Sequence, residues 1–266
     1  MIICKTCAVE YDEPPPDVCP ICSDERQYVP ATGQVWLSIR DLHEGGAVIR
    51  ITQHSPILWG LSAPGVGIGQ QMLLLHTPQG NLLWDPLGFI DEQTVAWLRA
   101  QGPVLGIAAS HPHMFGVQVS WSEALDDAPV LVNEADAEWL GRRSPAITFW
   151  SGKHQVTEGL TLYQIGGHFR GSTVAHWTGD DGILLAGDTV MVNPDRVTTS
   201  FMRSYPNRLP LSAGVVNRIA AQLAPLSFEQ VWSNFGNSIT TGADMAIQRS
   251  AERHASWVRG DFDHLT

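Results

Sequence analysis

The chain has 266 residues, 44% of them apolar, with a mean hydropathy of −0.04 and a formal net charge of −11 at pH 7. That length can bury one large core, or a core plus a small module. The acidic balance argues against nucleic acid as a partner. No apolar run approaches the roughly 20 residues of a membrane helix, and the start "MIICKTCAVE" does not read as a signal peptide.

The first thirty residues hold all four cysteines. "CKTCAVEYDEPPPDVCPIC" sets Cys4-x2-Cys7 and Cys19-x2-Cys22 eleven residues apart. Each CxxC knuckle places two thiolates on one tight turn, and two knuckles make a tetrahedral S4 site. A disulfide-bonded secreted chain would spread its cysteines. The clustering therefore predicts a metal site in a reducing compartment, and hence a cytoplasmic protein. So short a segment cannot fold on apolar burial alone, and the metal would supply the folding energy. Residues 1–30 are expected to form this Cys4 module, with "PPPD" as a stiff loop. "VPATG" reads as a linker to a main domain over residues 34–266.

The knuckles resemble a short zinc ribbon or a truncated rubredoxin, and "CPIC" matches the second rubredoxin knuckle. Rubredoxins usually place glycine after each knuckle, where Ala8 and Ser23 stand here. That departure favours structural zinc over iron, although S4 geometry admits both.

Beyond the linker, "QVWLSI" and "AVIRIT" read as strands joined by "HEGG" as a hairpin loop. Residues 53–70 are rich in glycine and proline and read as a long lid or binding loop. "MLLLHT" and "NLLWDP" form a second strand pair around "PQG". "DEQTVAWLRAQG" is a helix capped by Asp91 and ended at Gly102-Pro103. "VLGIAA" and "VLVN" are buried strands, and "EADAEWLG" is a short helix. "LTLYQI", "STVAHW" and "GILLAGD" are three further strands. The helices "SAGVVNRIAAQLA" and "GADMAIQRSAERHASWVRG" follow, the second with an apolar stripe through Ala243, Ile247, Ala251, His254 and Val258. Strands with mixed helices in two similar rounds imply an α/β (α+β) chain of two sheets with helices outside.

"SHPHMFG" follows the strand "VLGIAA". In an extended segment, residues two apart point the same way, and Pro112 biases His111 towards extended geometry. The pair His111 and His113 could therefore converge on a metal. "IGGHFRGSTVAHW" adds His168 on a glycine turn before a strand, and "GILLAGD" adds Asp188 at a strand end.

In chain order, the HxH pair, the G-H before a strand and the strand ending in G-D resemble the metallo-β-lactamase superfamily. The resemblance covers residues 34–266. "NLLWDP", with Asp85, is similar to its early strand ending in aspartate. It implies an αββα four-layer sandwich with a metal site at one edge, carrying His111, His113, His168 and Asp188 as ligands. The family's motif is H-x-H-x-D-H, whose last two ligands serve a second metal. Phe115 and Gly116 stand in their places, and "VWSNFGNSITTG" lacks the family's late-loop histidine. One zinc or iron is therefore expected. Phe115 is expected to fill part of the second site, and Asp and His at 115 and 116 to restore some of it.

Three imidazoles leave an open position for a water of lowered pKa. Asp188 could bind the metal or take that water's proton as the catalytic base. Arg203 could hold an anionic group, Tyr205 could donate to an oxyanion, and His54 and Trp59 could line the substrate pocket. The implied function is a hydrolase of a small-molecule ester or thioester. Two alternatives stay open. One is a mononuclear-iron or rubredoxin-linked oxidoreductase of the persulfide dioxygenase kind. The other is a non-catalytic binding protein that docks a protein partner through its N-terminal module. The substrate and the oligomeric state are not readable from the sequence.

Overall fold

The computed structural model describes residues 1–266. The chain divides into two compact units, Met1–Trp150 and Ser151–Thr266.

The first unit opens with β1 (Ile2–Cys4) and β2 (Glu10–Tyr11), an antiparallel pair that folds around the first knuckle. The single turn α1 (Pro20–Ser23) carries the second, with proline at its first position, where the missing N–H costs nothing. After the expected linker the chain returns, and β3 (Trp36–Leu37) pairs with β1. The "HEGG" hairpin is not formed. Helix α2 (Ile39–Glu44) runs into that segment instead. Its start is set locally. Ser38 Oγ accepts from the Asp41 N–H at 3.1 Å, and the Asp41 carboxylate accepts from the Ser38 N–H at 2.7 Å. This reciprocal cap satisfies two helix-end donors and outweighs the strand-like pattern of "QVWLSI".

A seven-stranded sheet follows. Its strands are β4 (Arg50–Ser55), β5 (Leu58–Ser62), β6 (Gln71–Thr77), β7 (Gly80–Trp84), β8 (Val104–Ala108), β9 (Val130–Asn133) and β10 (Ile147–Trp150), in spatial order 10-9-8-7-6-5-4. Strands β4 to β7 form an antiparallel meander, and β7 to β10 run parallel. Helix α3 (Glu92–Ala100), capped by Asp91, links β7 to β8, and α4 (Gln118–Ala124) lies between β8 and β9. The stretch expected as a long loop, residues 53–70, is half strand. "LWGLS" pairs with β4 on one side and β6 on the other. Gly60 permits it, because a Cβ there would lie 2.5 Å from the Gln71 side chain. "EADAEW" forms a 3₁₀ turn rather than an α-helix.

The second unit holds β11 (Lys153–Thr157), β12 (Leu160–Gln164), β13 (Thr173–Trp177) and β14 (Ile183–Ala186). Two small hairpins follow, β15 (Met191–Val192) with β16 (Thr199–Ser200), and β17 (Met202–Ser204) with β18 (Leu209–Pro210). Helix α5 (Ala213–Leu223), strands β19 (Gln230–Ser233) and β20 (Ser238–Ile239), and helix α6 (Ala243–Val258) complete the chain. Its six-stranded sheet has the order 11-12-13-14-19-20, with β14 and β19 parallel. Val216, Ile219 and Leu223 of α5 share one core with Ala243, Ile247 and Ala251 of α6 and with Leu184 and Val231 of the sheet. No helix is long and apolar enough to cross a membrane.

The cysteine knuckles pack into the first unit through a close fit. Ala8, at the place where rubredoxins use glycine, has φ 60° and so adopts the left-handed conformation that favours glycine. Its methyl rests against Gly67 and Gly88. A Cβ on Gly88 would collide with that methyl and lie 2.7 Å from the Ala8 carbonyl oxygen. The Glu10 N–H donates to the Gly116 carbonyl at 3.0 Å. The buried Glu10 carboxylate accepts from the Val119 N–H, from Ser120 Oγ at 2.8 Å and from Arg142 Nη1 at 2.9 Å. Burial pushes the Glu10 carboxyl up, while Arg142, Ser120 and Val119 pull it back towards the ionised form.

Gly88→Ala is expected to destabilise the protein by about 1–3 kcal/mol through overpacking against Ala8, read as a lower midpoint in denaturant unfolding. Gly214→Ala is the matched control: a Cβ there meets nothing within 4 Å. On α5 it should leave stability unchanged or raise it by up to about 1 kcal/mol.

Candidate metal centres

The first centre is built from the knuckles. The crossed pairs Cys4–Cys22 and Cys7–Cys19 each hold their Sγ atoms 3.7 Å apart. A disulfide requires about 2.05 Å. Four sulfurs about 2.3 Å from one tetrahedral ion would stand about 3.8 Å from each other, so the separations fit a cation and not a bridge. All four thiols are free and buried. Gln34 spans the two knuckles, with Nε2 3.3 Å from Cys4 Sγ and Oε1 accepting from the Cys19 N–H at 3.1 Å. Tyr11 Oη lies 3.1 Å from Cys19 Sγ. Contacts among the sulfurs pull Cys4 and Cys19 below the ordinary thiol range and push Cys7 and Cys22 above it.

The second centre uses side chains from strand ends. In the first unit, Asp85 directly follows β7, fully buried, with φ 56°. Its carboxylate accepts from the Ser110 N–H at 2.6 Å and from Ser110 Oγ at 3.1 Å. The single hydroxyl proton of Ser110 goes to Asp85. Its oxygen, 2.9 Å from His111 Nδ1, therefore accepts from that ring. His111 is thus held with the proton on Nδ1 and the lone pair on Nε2, the state a metal requires. The expected extended geometry holds at His111 only. Pro112–Met114 turns as a 3₁₀ helix, closed by the Met114 N–H to the His111 carbonyl at 2.9 Å. The turn brings the rings of His111 and His113 edge to face, with centroids 5.1 Å apart.

In the second unit, His168 follows Gly166 and Gly167, whose φ values of 62° and 92° make the turn before β13. Its Nδ1 lies 3.0 Å from the Met202 carbonyl. A carbonyl only accepts, so Nδ1 carries the proton and Nε2 the lone pair. Asp188 follows β14. Its Oδ2 is 3.6 Å from His168 Nε2, and its Oδ1 accepts from Asn234 Nδ2 at 2.8 Å. Burial pushes the Asp188 carboxyl above the usual range, partly offset by His168 and by the Asn234 bond.

His111 and His113 of the first unit and His168 and Asp188 of the second are all buried. Three imidazole nitrogens and one carboxylate are a donor set suited to zinc or iron.

Other expectations fare differently. Phe115 does not fill a second metal site. It belongs to the buried cluster of the four cysteines, Val130 and Val132. Gly116 cannot carry a ligand in this backbone. Its φ is 50°, and a Cβ would run into the Pro86 carbonyl and lie 2.7 Å from that of Leu87. The Tyr205 hydroxyl donates to the backbone carbonyls of Asp188 at 3.1 Å and Ser200 at 3.3 Å, so its proton is already engaged. Burial and the Asp188 carboxylate push that phenol well up. Arg203 Nη1 reaches the His168 carbonyl at 3.4 Å. Trp59 packs edge-on against Trp97 of α3, at 6.4 Å, in the sheet–helix core. His54 lies beside Gln71, and burial pushes its imidazole down. Ser110 and Asn234 escaped the sequence reading. Ser110 adjoins "HPH", and Asn234 sits in the late loop where a histidine was sought.

No protein-family model matches the chain. It is 39% identical over 270 residues to the uncharacterized protein YmaE of Bacillus subtilis strain 168, covering 98% of each chain. Among solved structures, VMB-1 superposes with a TM-score of 0.59 at 14% identity, over 79% of this chain and 97% of that one. FIM-1 from Pseudomonas aeruginosa, solved in its mono-zinc form, gives 0.56 at 16% over 78% and 96%. TTHA1623, in a di-iron-bound form, gives 0.51 at 20% over 74% and 96%. These likenesses establish the metallo-β-lactamase fold.

Ser110→Ala removes the link between Asp85 and His111. It is expected to weaken metal binding about 10–100-fold, the usual effect of losing an outer hydrogen-bond partner, as read by competition with a chromophoric chelator. Gly116→His is expected to lower the melting temperature sharply and to add no metal site, because the backbone must move before any imidazole can be placed. A second bound metal in that variant, at unchanged stability, would contradict this geometry.

Proposed function

Since the chain belongs to the same family as YmaE of Bacillus subtilis and has the metallo-β-lactamase fold, we propose that it is a metal-dependent hydrolase of an ester or thioester bond in a small molecule. The observations that carry this reading are the buried donor pairs, His111 with His113 in the first unit and His168 with Asp188 in the second. A divalent cation held there would supply Lewis-acid activation of a water molecule. The chain's own residues do the rest. His111 and His168 are held with Nε2 as the ligand atom, by Ser110 and by the Met202 carbonyl. Asp188, whose Oδ2 lies 3.6 Å from His168 Nε2, serves as the general base for the attacking water. Arg203, on β17 beyond Asp188, would meet an anionic group of the substrate. Residues 1–30 form a Cys4 module with a structural zinc. It is docked on the remainder, residues 34–266, and supports the segment that follows His113.

Metal analysis of the full chain is expected to find two ions, one lost in Cys19→Ser and the other in His168→Ala. With aryl ester and acyl thioester probes, and with enough metal to fill the histidine site, Asp188→Asn should lower kcat/KM by about 10²–10⁴-fold, the range of a general base, with the fold retained and the ion held more weakly by the three imidazoles. Iron at the histidine site, with persulfide consumption and no ester cleavage, would replace hydrolysis by oxidation. A chain with an empty histidine site and no turnover would make it a binding protein.

A further inference from the structure

Asn234 begins the tight turn between β19 and β20, closed by the Gly236 N–H to the Ser233 carbonyl at 3.3 Å and the Ser233 N–H to the Asn237 carbonyl at 3.1 Å. The side chain is fully buried. Its Nδ2 donates to Asp188 Oδ1 at 2.8 Å, while its own Oδ1 has no hydrogen-bond partner. A buried amide whose role was only to fill the core would have both ends satisfied, as almost all buried polar groups do. The ionised Asp188 also sets which way the amide faces. Turning it over would place one carbonyl oxygen against another acceptor.

Asp188 is therefore held at two unequal ends. Oδ2 lies 3.6 Å from His168 Nε2, on the ligand side. Oδ1 is committed to an amide N–H. Binding a second cation through that oxygen would require it to approach the positive amide hydrogens and displace them. From this we infer that Asn234 is a positioning residue that restricts the histidine centre to a single metal ion. It leaves Oδ2 for the ion and closes Oδ1 to another. The inference rests on the metal-dependent reading above, and it explains more than the absence of ligands at 115 and 116, because Asp188 by itself has two oxygens and could bridge two ions.

The test counts ions in the full-length protein, stripped by chelator and reloaded with cobalt(II) alone. Thiolate-to-cobalt bands report the cysteine centre separately from the d–d bands of the histidine centre. The parent is expected to take one cobalt at the histidine centre. Asn234→Asp exchanges the donor for a carboxylate of nearly equal size, and is expected to take two. Asn234→Ala removes the anchor without adding charge. It should keep one ion but bind it about tenfold more weakly. If Asn234→Asp does not fold without metal, Asn234→His decides by the same count. A parent that takes two ions at the histidine centre overturns the inference and leaves the hydrolase reading intact. So does a single ion in the aspartate or histidine variant at millimolar cobalt. A parent that fills only its cysteine centre overturns the metal-dependent reading and this inference with it.

Discussion

The carboxylate of Glu10 is buried at 2% exposure, and the arrangement of the first unit follows from what it must find there. An unpaired buried carboxylate would cost several kcal/mol. It is satisfied by the first-turn donors of α4, Val119 and Ser120, and by Arg142. Val119 and Ser120 follow His113 by only six and seven residues in the chain. Arg142 also holds Glu123 of α4, at 2.6 Å. The N-terminal knuckles therefore cannot separate from the histidine-bearing segment without leaving buried charges unpaired on both sides. Gly67 and Gly88 are the steric counterpart of this electrostatic tie, since both make room for Ala8.

The same economy governs the histidines. An imidazole can bind a metal only through a deprotonated nitrogen, so the proton must be held on the other one. The chain does this with acceptors that cannot donate back. Met202 offers a backbone carbonyl to His168, and Ser110 is made an acceptor for His111 because Asp85 takes its only proton. Each device stands on a rigid element end, which keeps the ligand nitrogen in place before any ion arrives.

Phe115, Gly116 and Asn234 are put to structural uses. Phe115 became part of the apolar cluster around the cysteines. Gly116 became a point of close backbone approach whose carbonyl receives Glu10. Asn234 became the hydrogen-bond anchor of Asp188. Phe115 and Gly116 thus attach the N-terminal knuckles, and Asn234 steadies the Asp188 carboxylate.

Much of this was legible in the residues alone. Paired CxxC knuckles, "HPH", "GGH" and "AGD" mark their centres because metal chemistry demands particular donor atoms at short, regular spacings. The long apolar runs such as "LLLH" and "VLVN" announced buried strands because burial on both faces excludes polar residues. Other features depended on partners far away in sequence. "LWGLS" is a strand because β4 and β6 offer it ladders on both edges, and α2 displaced the expected hairpin because its cap closes on itself within four residues. The direction of Phe115 was set by which cluster its ring could complete. Its neighbours in sequence say nothing of the cysteines more than ninety residues earlier. What the sequence alone determined was the kind of donor present. Which atom of each donor faces a ligand was decided only by tertiary hydrogen bonds, because a side chain's free lone pair is defined by the partner that occupies its other end.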